Sequence, residues 1–289
     1  MIRLSILLLS ALVLVSPGYA SPLDRHVIPA KAAVIMDASG AILYSKYPDA
    51  KLAPASTVKL VTAMVVLDKL PLDVKVRISK NAVKTRSIRP RIHRDEELTV
   101  SDLLHLALMK SINSSAVALA EAAAGTERDF VELMNRKAEE IGAHNTLFAN
   151  ASGLPKGIQY TTAEDLALIM KAALSYPMIR EILGKRMYVV RTSEGRDIVI
   201  DNSNNLLWHS DSMIGGKTGY TGNARHCFVY AVSTDKGPLI AAVLGARSRS
   251  SLWRTAQRLT EIGMEKEGAS AINPFNHPPV PIDTEKSED

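Results

Sequence analysis

Ser56 and Lys59 stand three residues apart at the mouth of an apolar stretch, in Pro54-Ala55-Ser56-Thr57-Val58-Lys59-Leu60-Val61-Thr62-Ala63-Met64. A serine hydroxyl is a weak nucleophile until a base takes its proton, and a lysine amine can be that base only when neutral. Burial and nearby positive charge both favour the neutral amine. The Ser-x-x-Lys spacing alone is weak evidence, expected about once by chance in a chain of this length. A second copy, Ser233-Thr234-Asp235-Lys236, falls at a strand end and turn, where nothing keeps the two side chains on one face. Ser56 and Lys59 instead fall on consecutive turns of one helix expected to begin at the serine.

Two more clusters carry polar groups suited to the same chemistry. Met109-Lys110-Ser111-Ile112-Asn113-Ser114-Ser115-Ala116 places Ser111 and Asn113 in a short turn between helices, which by itself reads as a capping turn. Gly215-Gly216-Lys217-Thr218-Gly219-Tyr220 is a glycine-flanked strand whose backbone can approach a ligand closely. Lys217 there is either a surface strand end or the second positive charge that Lys59 needs. Ser56, Ser111 and Lys217 follow in order, 55 and then 106 residues apart.

The elements that must position them are read from periodicity. Residues 32–36 and 41–45 flank the turn Asp37-Ala38-Ser39-Gly40 as a hairpin. Helical spacing covers 56–67, 100–110, 113–124, 127–141 and 162–173, with capping boxes at Thr126/Asp129 and Thr162/Asp165. Strands return at 187–192 and 197–200 around Ser193-Glu194-Gly195-Arg196, then at 213–218, 226–233 and 239–245, before a last helix over 250–263. Strands at both ends with helices between predict one antiparallel sheet flanked by helices, an α/β (α+β) architecture with an all-helical lobe inserted at about 80–175.

Composition narrows the function classes. With 46% hydrophobic residues and no long apolar run after residue 20, nothing in the mature chain is expected to span a membrane. Residues 1–20, with Arg3 before an apolar core and Pro17-Gly18-Tyr19-Ala20 at the end, read as a cleaved secretory signal peptide, which implies export to the periplasm. Residues 21–267 form the expected catalytic domain, and the Pro- and charge-rich 268–289 an expected disordered tail. The single cysteine, Cys227, excludes an internal disulfide and reads as a small buried hydrophobe.

Seven histidines are scattered singly, so no metal or other cofactor is implied. The net charge of +5 owes part of its excess to Lys84-Thr85-Arg86-Ser87-Ile88-Arg89-Pro90-Arg91-Ile92-His93-Arg94. Such a run could meet nucleic acid, lipid headgroups or an anionic wall polymer, and usually is simply solvated. It lacks the interleaved aromatics of a nucleic-acid surface.

In order and context the three clusters resemble those of the penicillin-binding D-alanyl-D-alanine carboxypeptidases and endopeptidases, serine acyl-transfer enzymes of the bacterial wall. The resemblance spans nearly all of 32–263 and includes Asn145-Thr146-Leu147-Phe148-Ala149-Asn150-Ala151-Ser152-Gly153-Leu154, Thr161-Thr162-Ala163-Glu164-Asp165-Leu166 and Asn202-Ser203-Asn204-Asn205-Leu206-Leu207. It implies the β-lactamase/transpeptidase-like fold, peptidoglycan stem peptides as substrate and β-lactams as covalent inhibitors.

The same resemblance implies site roles. Ser56 is the acylated nucleophile and Lys59 its base. Ser111 relays a proton to the leaving D-alanine, and Asn113 orients Lys59 and the substrate amide. Lys217 and Thr218 hold the substrate carboxylate, with Arg247 as a further contact. The backbone N–H groups of Ser56 and Tyr220 form the oxyanion hole, and Gly219 leaves it room.

Two alternatives share the fold. A class A β-lactamase needs a carboxylate to activate its deacylating water, and residues 144–157 contain no Asp or Glu. A catalytically idle peptidoglycan-binding module has no need of an intact Ser56, Lys59 and Ser111. The short segment after Gly263 and the Arg89-Pro90-Arg91 run make the endopeptidase branch the expected one.

Overall fold

Along the central strands, side chains alternate between two hydrophobic clusters. Val34 and Met36 of the first strand, Val229 and Ala231 of the eighth, and Ile240 and Ala242 of the ninth share one cluster. Ala33, Ile35, Phe228, Tyr230, Leu239 and Ala241 share the other. A strand buried on both faces reads as a continuous apolar run, which is why 226–233 and 239–245 are so apolar. The computed structural model describes residues 28–269; the expected signal peptide and nearly all of the expected tail lie outside them.

The elements in chain order are β1 Ala32–Met36, β2 Ile42–Lys46, α1 Lys59–Leu67, β3 Lys75–Arg77, α2 Lys80–Lys84, β4 Glu97–Thr99, α3 Val100–Leu108, α4 Asn113–Ala124, α5 Glu127–Ile141, α6 Ala163–Leu174, α7 Pro177–Gly184, β5 Met187–Arg191, β6 Asp197–Asp201, β7 Met213–Thr221, β8 Arg225–Thr234, β9 Gly237–Ala246 and α8 Arg249–Glu267. Five strands form an antiparallel sheet in the order β2-β1-β9-β8-β7. β3 with β4, and β5 with β6, form separate two-stranded pairs. Helix α8 covers one face of the main sheet and α6 the other, while α3, α4 and α5 pack among themselves and on α1. Thus α6, although it falls within the expected lobe, lies on the sheet.

Local signals held where side chains cap the backbone. The Thr126 and Thr162 hydroxyls accept from the amides of Asp129 (3.1 Å) and Asp165 (3.0 Å). Asp165 turns its carboxylate to the Asn145 amide (2.7 Å) and the Thr146 hydroxyl (2.7 Å) instead of completing a box, which ties the 145–154 loop to α6. The short elements α2, α7, β3 and β4 had no periodic signature long enough to read. Cys227 is buried, and burial pushes its thiol up to about 11.

Candidate active site

Ser56 belongs to a 3-10 turn, Ala55–Val58, and α1 begins only at Lys59, a correction to the helix expected to begin at the serine. The tightening has a local cause: the Thr57 hydroxyl donates to the Pro54 carbonyl at 2.7 Å, and Ala55 sits at φ +50°. A positive φ on a residue with a Cβ is uncommon and is kept only where the surroundings over-determine it. Gly153 supplies that constraint, since a Cβ on it would fall 1.9 Å from the Ala55 carbonyl oxygen. Only glycine lets the 152–153 backbone press on the turn that carries Ser56.

Lys59 is fully buried, and its Nζ lies 2.9 Å from Ser56 Oγ, 2.7 Å from Asn113 Oδ1 and 2.6 Å from the Ser152 carbonyl. Two of these neighbours, the amide oxygen and the backbone carbonyl, can only accept. A neutral amine has two hydrogens and one lone pair, so it gives the hydrogens to Asn113 and Ser152 and turns the lone pair to the serine. Burial first, and the charge of Lys217 second, hold the Lys59 amine well below its usual basicity.

Lys217 pairs with Val229 across β7 and β8, and paired residues share a face of the sheet, so it points to the helical side where Lys59 lies. It is fully buried, burial brings its amine down to about 7, and its Nζ donates to the Thr218 carbonyl at 2.9 Å. The Thr218 hydroxyl is 2.7 Å from Ser203 Oγ. The Ser203 amide donates to the Met109 carbonyl at 2.9 Å, so one residue ties β7 to the turn before Ser111.

That turn is itself strained: Ser111 has φ +64°, and its buried hydroxyl has no hydrogen-bond partner among the described residues. Asn113 opens α4 and is held from outside. Its amide donates to Ser87 Oγ (2.9 Å) and its Nδ2 to the Arg86 carbonyl (2.8 Å), which aims Oδ1 at Lys59. The structure therefore brings Ser56, Lys59 and Asn113 into one bonded cluster, with Gly219 against the Ser56 backbone and Lys217 near enough to act on Lys59.

Two expected residues have side chains outside this bonded cluster, although the group expected of Tyr220 is its backbone N–H, next to Gly219 on β7. Tyr220 is exposed, its ring 4.5 Å from that of His226. Arg247 follows β9 and lines, with Lys31, Lys46, Arg225 and Gly245, a cleft of about 730 Å³ that none of Ser56, Lys59, Ser111 and Lys217 lines. Sequence reasoning gave no role to the Ser152 carbonyl, the Arg86 carbonyl, Ser87 or Ser203. Backbone acceptors leave no residue-type signal, although the 145–154 and 202–207 motifs were visible. His93 and Glu96, three residues apart, and the distant Glu194 do bring ligand-type atoms within 4.8 Å of one another. Arg196 already occupies both Glu96 oxygens, at 2.9 and 3.0 Å.

Comparison with known proteins gives a consistent result. Residues 20–248 match the family described as D-alanyl-D-alanine carboxypeptidase. The D-alanyl-D-alanine carboxypeptidase DacF of Bacillus subtilis is 30% identical over 286 residues, covering 90% of this chain and 74% of the relative. The D-alanyl-D-alanine endopeptidase of Escherichia coli is 32% identical, covering 83% of this chain and 79% of the relative. A crystal structure of a D-alanyl-D-alanine carboxypeptidase from Mycobacterium tuberculosis superimposes with a TM-score of 0.78 at 30% identity, over 84% of this chain and 94% of that one. With the β-lactamase/transpeptidase-like fold and the Ser-Lys cluster already in place, these similarities mean that the chain belongs to the D-alanyl-D-alanine carboxypeptidase family of serine D,D-peptidases.

Proposed function

We propose that the chain hydrolyses the D-alanyl peptide bond of peptidoglycan stem peptides, acting as an endopeptidase on cross-links, through an acyl-enzyme on Ser56. The observation that carries this reading is the Lys59 nitrogen fixed by two acceptor-only oxygens with Ser56 Oγ as its third neighbour. Neutral Lys59 takes the Ser56 proton as Oγ attacks the carbonyl carbon of the D-alanine on the acyl side of the scissile bond. The oxyanion forms at the N–H groups of Ser56 and Tyr220, where Gly219 leaves room. Ser111, whose hydroxyl is otherwise unpartnered, gives its proton to the departing amine as the C–N bond breaks and takes in its place the proton held by Lys59, which is neutral again. Water then gives a proton to Lys59 as it attacks the ester carbon, and Ser56 Oγ leaves with that proton as the C–O bond breaks.

Lys217 in its charged form and Thr218 receive the substrate carboxylate. Arg247 would have to reach the substrate from the neighbouring cleft. The lack of a carboxylate in 144–157 leaves deacylation of a penicillin without a general base from that loop, so β-lactams act here as slowly released covalent inhibitors. The basic start and apolar core of residues 1–20 support export to the periplasm, with 21–267 as the catalytic domain. No helix among the described residues is long and apolar enough to cross a membrane.

Mass spectrometry of the purified chain incubated with a cross-linked muropeptide dimer and with a pentapeptide monomer tests the proposal, with Ser56→Ala as control. Splitting of the dimer, lost in Ser56→Ala, is the expected result. Release of terminal D-alanine from the monomer alone makes the enzyme a carboxypeptidase. Absence of both products overturns the peptidase assignment.

A further inference from the structure

The basic run is not a loose tail but a strap held at both ends. It joins α2 to β4. At its start, the Arg86 carbonyl and Ser87 Oγ bind Asn113, the residue that orients Lys59. At its end, Ile92 is buried, the His93 amide donates to Glu96 at 2.9 Å, and Arg196 bridges the Arg91 carbonyl (3.3 Å) to both oxygens of buried Glu96. Along the strap the side chains of Lys84, Arg86, Arg89 and Arg91 are exposed, and none of them forms an ion pair among the described residues. The nearby Glu121 is engaged by Ser79 (2.6 Å) and Asn81 (2.7 Å), and Asp95 by Arg77 (3.1 Å) and Arg94 (3.3 Å).

A fixed array of unpaired guanidinium and ammonium groups raises the local concentration of anions, and guanidinium forks match carboxylates in particular. The start of the strap touches Asn113, so a single residue connects it to Lys59 in the active site. We infer that the 84–94 strap is a docking surface for the carboxylates of an acidic peptide, the part of the stem or of its cross-linked neighbour that lies outside the cleavage site. This rests on the stem-peptide reading above. The strap presents no aromatic ring for a nucleic-acid base, and Ile88, 56% exposed, is its one exposed large apolar residue, too little for insertion into a lipid surface.

The test compares the wild type with Lys84→Ala/Arg89→Ala/Arg91→Ala and with Arg89→Lys/Arg91→Lys. One substrate is a carboxylate-rich cross-linked muropeptide; the other is a small D-alanyl-D-alanine peptide whose only carboxylate is terminal. The triple variant should raise KM for the muropeptide roughly tenfold, remove most of its salt dependence, and change KM for the small peptide less than about twofold. The double Lys variant should restore most of the muropeptide KM.

Equal losses on both substrates would show that the strap only supports Asn113, and unchanged kinetics would show that it binds nothing; either overturns the inference. Binding of anionic lipid vesicles that depends on the strap, with muropeptide KM unchanged, overturns it in favour of a membrane. Should the wild type turn over neither substrate, the peptidase reading fails. Calorimetric binding of the muropeptide to the wild type and the triple variant then decides the docking surface separately: equal affinity overturns it.

Discussion

Gly219 lies so close to Ser56 that a Cβ on the glycine would stand 2.9 Å from the Ser56 amide nitrogen and 3.1 Å from the Ala55 Cβ. Real Cβ atoms do not approach backbone nitrogen that closely, so Gly219→Ala must push β7 away from the 3-10 turn. The overpacking costs about 1–3 kcal/mol. The displaced turn should slow acylation by roughly 10²-fold. Acylation by a fluorescent penicillin, alongside thermal melting, checks this; a variant acylated at the wild-type rate would mean that the turn accommodates the methyl group.

The two buried lysines set opposite limbs of the pH profile. Lys59 works as the neutral amine, so kcat/KM rises with pH through its lowered pKa. Lys217 works as the cation, and its free-enzyme value of about 7 means that carboxylate recognition weakens as pH rises through about 7. A substrate analogue with a terminal carboxamide should lose the alkaline limb and keep the acid one. An alkaline limb identical for both substrates would rule out Lys217 as its source.

Lys217 should also trade stability for function. Below about 7 both folded and unfolded chains hold its proton, and the full penalty of burying the charge is present. Between about 7 and the ordinary lysine value of 10.5 the unfolded chain binds more protons, so stability rises with pH. Lys217→Met should therefore raise Tm at neutral pH, by on the order of 1–3 kcal/mol of stability, with a gain that shrinks toward pH 10.5. The same variant should lose most D,D-peptidase activity. A fall in Tm at neutral pH would mean that the hydrogen bond to the Thr218 carbonyl outweighs the burial.

Ser203→Ala removes the hydroxyl that pins Thr218 Oγ1 at 2.7 Å while keeping the amide that holds the Met109 carbonyl. One neutral hydrogen bond is worth about 0.5–1.5 kcal/mol. The expected result is a KM raised roughly twofold to tenfold for the carboxylate substrate with kcat much less affected. An equal fall in kcat and kcat/KM would instead place Ser203 in support of Ser111.

Much of the machinery was legible in the chain because it depends on residue type and short-range order. Ser56 and Lys59 share a helical spacing that puts them side by side whether the first turn is 3-10 or α. Thr126 and Thr162 announce helix starts by side-chain capping, and the continuous apolar runs of β8 and β9 announce strands buried on both faces. Arg247 resembles a carboxylate contact by its place in the sequence, and the fold adds what no motif shows, that it lines a cleft with Lys31, Lys46 and Arg225.

What the sequence by itself determined is the inventory: a serine, a candidate base, a relay hydroxyl, an amide and a second lysine, in an order and on elements that suit serine acyl transfer. The tertiary structure decided which of these are tuned. Lys59 becomes an oriented amine because the Ser152 carbonyl, 93 residues away in the chain, and Asn113 Oδ1 take its hydrogens. Lys217 loses basicity because the packed sheet and helices bury it. The left-handed Ala55 is held by the approach of Gly153, and the turn to the left-handed Ser111 is tied at Met109 by the Ser203 amide, contacts that no local pattern encodes. A residue's chemical type is local, whereas burial, lone-pair direction and backbone strain exist only once two layers meet.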